Sequence, residues 1–258
     1  MAAHTNHPSF PQPADAGLRV WRYLDFAKLV AMLESQSLHF ARVDTLRDPF
    51  EGTLSRLEFE QWRATAHEAA ARHPNPTPDF ERAVLDAMLD GTRRLRREMY
   101  VNCWHLAQGE SEAMWRLYAT SGYAIAIESE YRRLVDVLPQ VRWEESFVGL
   151  VKYVDHDADA IPAGNGFNPV MHKRRAFEHE REVRAVIWRT PLTVPIEADD
   201  ERWPLGIDVP VSLSELVTRL VVSPQAPVWF ADVVQAVVRR YALAVPVDRS
   251  GLLAAPYI

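Results

Sequence analysis

Glu180, Glu182 and Arg184 have the types and the spacing to do chemistry. The polar segment around them changes into an apolar run, which predicts a β-strand. Because side chains alternate between the two faces of a strand, these three would share one face. The other face would carry the apolar residues Val183, Ala185 and Ile187. Two carboxylates about 7 Å apart could orient a substrate hydroxyl, stabilise a developing cation or hold a metal.

Two simpler interpretations of this segment stay open. The strand could face the solvent and carry a surface ion pair, which is worth about 0–1 kcal/mol. Residues 173–181 could also be helical, because Lys, Arg, Ala and Glu favour a helix.

Other charged residues are candidates for binding a substrate. Asp48 and Glu51 flank a turn, where they could simply cap the backbone or could hold the polar end of a substrate. Lys173, which precedes two arginines, could bind a phosphate or face water. We therefore group Asp48, Glu51, Lys173 and Arg184 as candidate substrate-binding residues.

Aromatic residues and the single cysteine have two interpretations each. Trp115 and Tyr118 lie at helical spacing, which is typical of core residues, but either could stack on a base or a nicotinamide ring. Cys103 lies on a predicted strand and is expected to be a small buried residue rather than a nucleophile. The histidines and the cysteine lack zinc-site spacing, and no phosphate-binding glycine motif is present. We expect no metal.

The predicted elements do not alternate regularly between strand and helix. Strands are expected at 18–24, 37–42, 99–105, 122–128, 148–154, 182–188, 192–196, 216–222 and 245–248, and helices at 26–33, 111–119 and 227–241. This order predicts an α+β fold with a mixed, largely antiparallel sheet. Residues 18–258 would form one domain. Residues 54–98, two helical stretches joined by a proline-rich linker, would be a helical insertion or cap, and residues 1–17 a flexible leader.

Composition excludes several classes of protein. The formal net charge is −6, so binding of long nucleic acid is not expected, although a small nucleotide ligand remains possible. One cysteine suits a reducing compartment, and no apolar run approaches the roughly 20 residues of a membrane helix. We expect a cytoplasmic protein with no membrane contact, of unknown oligomeric state.

Several blocks together resemble a bacterial family known as domain of unknown function twenty-nine seventy-one. In chain order they are Phe26-x-x-Leu29-x-x-Met32-Leu33, Leu38-His39-Phe40, Asp48-Pro49-Phe50-Glu51, the strand ending near Cys103, Met114-Trp115-Arg116-Leu117-Tyr118-Ala119, Lys173, the Glu180–Arg184 strand and Ser250 to Leu252. One departure is Arg47, where the family usually has asparagine. This family name implies no reaction.

The order of the same blocks is similar to that of the ADP-ribosyltransferase fold, most of all the branch that modifies nucleic acids. In that fold NAD lies in a cleft between two small sheets, and a glutamate on a late strand stabilises an oxocarbenium-like transition state. The resemblance implies that Glu182 is the catalytic carboxylate and Glu180 its partner. It places Arg22 or Tyr23 where the first strand meets the cofactor, and Trp104 and His105 along the pocket. A Ser-Thr-Ser motif, which that fold would carry, is not evident after Cys103.

Three hypotheses follow. The leading one is an ADP-ribosyltransferase-like enzyme that takes NAD as a substrate and a nucleic acid or protein as acceptor, in a toxin or phage-defence setting. The second is a metal-dependent hydrolase or nuclease that uses Asp48, Glu51, Glu180 and Glu182. The third is a non-catalytic module that binds a ligand or a partner.

Overall fold

The computed structural model describes residues 3–118, 122–138, 145–189 and 203–253. Its strands are β1 (Arg19–Asp25), β2 (Ser37–Arg42), β3 (Met99–Leu106), β4 (Ala124–Glu130), β5 (Ser146–Leu150), β6 (Lys152–Val154), β7 (His172–Arg174), β8 (Glu182–Trp188), β9 (Gly206–Pro210), β10 (Arg219–Val222) and β11 (Val247–Arg249). Its α-helices are α1 (Phe26–Ser35), α2 (Arg56–Arg72), α3 (Phe80–Glu98), α4 (Glu112–Tyr118), α5 (Tyr131–Val137), α6 (Phe167–Met171), α7 (Leu213–Leu216) and α8 (Val228–Arg240). Short 3₁₀ helices span Val43–Thr45 and Arg175–Glu180.

A nine-stranded sheet dominates the fold and confirms the α+β prediction. All pairs in it are antiparallel except β10 with β11. Strand β3 pairs with β8 along one edge, and its other edge is shared by β2 at Tyr100–Val101 and β1 at His105–Leu106. Because β1 and β2 lie on the same edge of β3, the sheet divides there into two branches. Strands β6 and β7 form a separate parallel pair.

One face of the sheet is covered by the main hydrophobic core. Val183, Ala185 and Ile187 of β8 lie in it as predicted, beside Trp104 of β3 and Leu29 of α1. All five are almost fully buried, and each large apolar side chain contributes roughly 1.5–3 kcal/mol through burial. The opposite face carries smaller apolar clusters, and between them lie Glu182 and Arg184.

The N-terminal segment is not a flexible leader in the structure. The backbone carbonyls of His4 and Pro11 accept hydrogen bonds from Val148 and Leu150, so the segment covers the outer edge of β5. Phe10 is buried against Gly149. The proline-rich composition indicated flexibility, but hydrogen bonding to an otherwise open strand edge offsets the lost chain entropy.

The predicted helical insertion is present as α2 and α3, which pack against each other. A capping box of Ser55 and Glu58 starts α2. At the end of α3, the buried carboxylate of Glu98 accepts hydrogen bonds from Arg94 and from the indole N–H of Trp188 on β8. This contact joins the helical pair to the sheet.

Most predicted elements agree with the structure to within about two residues. The predicted strand at 148–154 is two strands, β5 and β6, and that at 216–222 begins with the end of α7. The predicted strand at 192–196 lies outside the described residues. None of the described helices is long and apolar enough to cross a membrane.

Candidate functional site

The site begins at the start of β8, and here one prediction is wrong. Glu180 is not on the strand with Glu182, because it ends a 3₁₀ helix and β8 starts two residues later. Between them Arg181 adopts a left-handed conformation, with φ 39°. This turn of the backbone removes the alternation that would have placed the two carboxylates on one strand face. Glu182 and Arg184 do share a face, as predicted.

Lys173 brings the carboxylates together despite the break in the strand. Its Nζ lies 2.5 Å from Glu180 Oε2, 3.0 Å from Glu182 Oε2 and 3.2 Å from Glu51 Oε1. Lys173 is in β7 and Glu51 follows the Asp-Pro turn, so three separate parts of the chain meet at one ammonium group.

Arg184 forms the second cation of this cluster. Its Nε donates to Glu182 Oε1 at 2.7 Å, and its Nη1 donates to Glu51 Oε2 at 3.0 Å. The cluster of Glu51, Lys173, Glu180, Glu182 and Arg184, here called the charge network, therefore holds three carboxylates and two cations. Each of the two cations contacts at least two carboxylates, which is what buried charges need to be tolerated.

The charge network is deeply buried. Arg184 is 0% exposed, Glu182 4% and Glu180 7%. Burial alone would raise the pKa of Glu182, but the positive charges of Arg184 and Lys173 outweigh it and lower that pKa to about 2. Glu182 is thus a carboxylate at neutral pH. The same carboxylates raise the pKa of Lys173 against the opposing effect of burial, so it stays an ammonium.

Polar groups border the charge network. Tyr118, which is 45% exposed, donates its hydroxyl to Glu180 Oε1 at 3.1 Å. The backbone N–H of Glu182 donates to the Tyr153 hydroxyl at 2.8 Å. Burial raises the pKa of the Cys103 thiol well above its usual range, and the negative charge of Glu182 raises it further. Cys103 is therefore a neutral thiol, and it is partly buried, whereas the sequence predicted a buried residue.

Asp48 and Arg174 form an adjacent ion pair. Arg174 Nε and Nη2 donate to the two oxygens of Asp48 at 3.1 and 2.7 Å. The Asp48 carboxylate also accepts a hydrogen bond from the backbone N–H of Phe50, which is the turn-stabilising role considered for it. Asp48 is thus bound to Arg174 and to the backbone of the turn. Lys173 and Arg184 are bound to carboxylates. A direct substrate contact for any of these three residues would require some of these bonds to break.

Several residues assigned to the cofactor are part of the hydrophobic core instead. Trp115 and Tyr23 pack edge to face at 4.9 Å in a small apolar cluster, and the Tyr23 hydroxyl accepts the backbone N–H of Ser111. Trp104 lies in the main core and donates its indole N–H to Asn102. These three aromatic side chains are buried, so their packing excludes direct stacking on a ligand.

Arg22 and His105 are polar but also have structural partners. Arg22 donates to the carbonyl of His39, which Asn102 also contacts, and this closes the gap between β1 and β2. Nδ1 of His105 lies 2.6 Å from the carbonyl oxygen of Glu180. Burial lowers the pKa of His105, so it is neutral at pH 7, and this contact fixes the backbone of Glu180. Of the six cofactor candidates, only Tyr118 is largely exposed and touches a carboxylate.

The metal hypothesis finds no support in the donor set. Within the described ranges, no group of three His, Cys, Asp or Glu residues has the arrangement of a metal site. The ammonium of Lys173 occupies the position between Glu51, Glu180 and Glu182 that a cation would need.

Two residues near the site were not predicted from the sequence. Tyr153 holds the first backbone N–H of β8, and Phe177 places its ring 5.1 Å from Lys173 Nζ. Neither lies in a recognisable motif, since both reach the site through folding of the β6–β7 pair and the 3₁₀ helix. The one available signal was the basic run at 172–175, which Phe177 follows closely; Tyr153 has no such neighbour in the sequence.

The chain was compared with protein-family models, curated proteins and solved structures, and none of them matches it.

Proposed function

We propose that this protein is an enzyme of the ADP-ribosyltransferase type that consumes NAD, with Glu180 as the carboxylate closest to the substrate and Glu182 as its partner. The supporting observation is the joining of both carboxylates by Lys173, next to the exposed Tyr118. Glu180 takes the first role because its side chain is more exposed than that of Glu182 and contacts Tyr118. This reverses the roles that the sequence resemblance implied.

In the proposed reaction the bond between the nicotinamide nitrogen and the ribose carbon breaks, and nicotinamide leaves with the electron pair. The ribose then carries a positive charge like that of an oxocarbenium ion, and a fixed carboxylate stabilises such a charge. Glu180 would supply the negative charge that stabilises the ribose. Glu182, ionised and held by Arg184, would keep Lys173 in place. A nucleophile of the acceptor, a nucleic acid or a protein, then bonds to the ribose carbon and loses its proton to water.

Tyr118 is the residue that must move for NAD to reach Glu180. It is the last residue of α4, and its hydroxyl covers one oxygen of Glu180. A substrate hydroxyl could replace the tyrosine hydroxyl on that oxygen with no net loss of hydrogen bonds. We therefore assign Tyr118 to the border of the cofactor site.

The test is release of nicotinamide from NAD, followed by mass spectrometry, in the presence of cell nucleic acid or lysate. We expect release by the natural protein and a loss of at least 100-fold in Glu180→Gln, in line with the removal of one electrostatic catalytic group. Glu178→Gln is the matched control, because Glu178 lies in the same 3₁₀ helix but is exposed. No release by the natural protein under any of these conditions would disprove the proposal.

A non-catalytic ligand-binding module is the second candidate, and the burial of the charge network favours it. Buried ionic groups also occur where a protein needs a fixed structure rather than a reaction. On this alternative Glu180→Gln changes ligand affinity while neither protein releases nicotinamide.

A further inference from the structure

Arg174 lies close to two phenylalanine rings at the surface beside the charge network. Its guanidinium carbon is 4.4 Å from the centre of the Phe50 ring and 5.4 Å from that of Phe177. The guanidinium plane is held by the two bonds to Asp48, so it does not have to be ordered when a ligand binds. Nη1 makes no hydrogen bond to any residue that the structure describes, and it remains available as a donor.

The two rings and the guanidinium are open to solvent. Phe50 is 42% exposed, Phe177 is half-buried, and the Arg174 side chain is 36% exposed. Leaving a phenylalanine ring in water costs about 25 cal/mol for each Å² of apolar area. The chain nevertheless places two such rings close to Arg174.

A buried histidine packs against Phe50 on the protein side of this surface. His156 is 6% exposed and lies 5.4 Å from Phe50, edge to face. Neither of its ring nitrogens has a hydrogen-bond partner among the described residues. Burial lowers the pKa of His156, so the ring is neutral and one nitrogen remains an acceptor and the other a donor. Both nitrogens are buried, so a water in the interior is the group that would complete their hydrogen bonds.

The chemistry of these groups selects a nucleotide. Phenylalanine rings and arginine planes are the surfaces on which nucleobases stack. The remaining N–H groups of Arg174 suit one phosphate, and exposed Arg175 is next in the chain. Asp48 offsets the charge of Arg174, so a ligand with one phosphate group and a large planar base fits better than a polyanion.

We propose that Phe50, Arg174 and Phe177 form a subsite for the base and phosphate of a purine nucleoside monophosphate. Resting on the proposed function, this subsite would take the adenylate half of NAD. The Phe177 ring connects the two places, because it lies 5.1 Å from Lys173 Nζ, which contacts Glu180 at 2.5 Å. The subsite therefore adjoins the carboxylates.

Calorimetric titration of the full chain with AMP, adenosine and ribose 5-phosphate tests this subsite. We expect AMP to bind at least tenfold more tightly than either fragment, because adenosine lacks the phosphate and ribose 5-phosphate lacks the base. Phe50→Ala should weaken AMP binding roughly tenfold or more, the usual effect of removing one stacking ring. Phe59→Ala, which removes a similarly exposed ring from α2, should leave binding unchanged.

Phe177→Leu is a second variant in case Phe50→Ala disturbs the Asp-Pro turn, and it should also weaken AMP binding. AMP binding no tighter than that of ribose 5-phosphate, or equal AMP affinities for the Phe50 and Phe59 variants, would overturn the subsite. Nicotinamide release is a separate readout. If AMP binds and no nicotinamide is released, the subsite stands and the proposed function fails. If nicotinamide is released and AMP does not bind, the subsite fails and the proposed function stands.

Discussion

At the scale of residues, the charge network is the feature that most needs an explanation. Removing charges from water costs several kcal/mol for each ion, and good geometry is needed to recover it. The network meets this need because Arg184 bridges Glu51 and Glu182 while Lys173 contacts all three carboxylates. Replacing either cation leaves buried carboxylates with fewer partners, so mutations of Lys173 or Arg184 should be costly.

Arg184→Met should lower the free energy of unfolding by roughly 3–5 kcal/mol, because it leaves Glu51 and Glu182 buried with one cation in place of two. Urea denaturation measures this. Arg175→Met is the control: Arg175 is exposed and its ion pair with Asp159 is worth about 0–1 kcal/mol. A loss below about 1 kcal/mol in Arg184→Met would mean that the network does not stabilise the fold as described.

The low pKa of Glu182 predicts a loss of stability in acid. Its pKa is about 2 in the folded protein and 4.5 when unperturbed, so its contribution is full above about pH 4.5 and is lost as the pH falls towards 2. Urea unfolding between pH 2 and 6 should show this slope in the natural protein. Glu182→Gln should be less stable at neutral pH, and its stability should depend less steeply on pH than that of the natural protein. Equal pH dependence in the two proteins would contradict the low pKa of Glu182.

At the scale of elements, the turn between the 3₁₀ helix and β8 decides where the two carboxylates point. Arg181 takes a left-handed conformation there, and its carbonyl accepts a hydrogen bond from Leu106 of β3. Only glycine adopts this conformation without strain. The turn is thus held by tertiary contacts rather than by local preference, and it allows Glu180 and Glu182 to reach the same ammonium.

Changes at Arg181 should separate backbone strain from side-chain effects. Arg181→Val should destabilise the protein by roughly 1–2 kcal/mol, since a β-branched side chain is strained at positive φ. Arg181→Gly should be neutral or slightly stabilising, because relief of strain offsets the greater entropy of the unfolded chain. Thermal unfolding compares the two variants. Equal losses in both would indicate that the exposed side chain matters, not the backbone.

At the scale of the whole molecule, contacts far apart in the chain enclose the charge network. Gly149 lies opposite Arg184 in the β5–β8 pair, and Phe10 of the N-terminal segment packs against it. The helical pair is joined to the opposite end of β8 through Trp188. The network is thus covered by the sheet, the Asp-Pro turn and the N-terminal segment together.

Gly149→Ala should displace the N-terminal segment, because the added Cβ would lie 2.7 Å from the backbone of Phe10. We expect lower stability and faster proteolysis within residues 3–17. Gly91→Ala is the matched control: no atom lies within 4 Å of its added Cβ, and α3 should gain up to about 1 kcal/mol. Unchanged proteolysis in Gly149→Ala would show that the segment does not depend on this contact.

The sequence by itself determined the α+β class, most element positions and the apolar face of β8. These features depend on local periodicity and capping, which neighbouring residues in the chain encode directly. The helical pair also followed from local signals, since the three prolines end the first helical stretch and separate it from the second. Glu180, Glu182 and Lys173 were identified as charged candidates near one another in sequence.

Only the tertiary structure decided what these residues contact. The left-handed backbone of Arg181 cannot be predicted from its residue type, because the hydrogen bond to β3 holds the backbone in place. The burial of Trp104, Trp115 and Tyr23, and the packing of the N-terminal segment, likewise depend on partners distant in the chain. The physical reason is the same in each case: local sequence sets the preference of a segment, whereas burial and ion pairing depend on which segments meet.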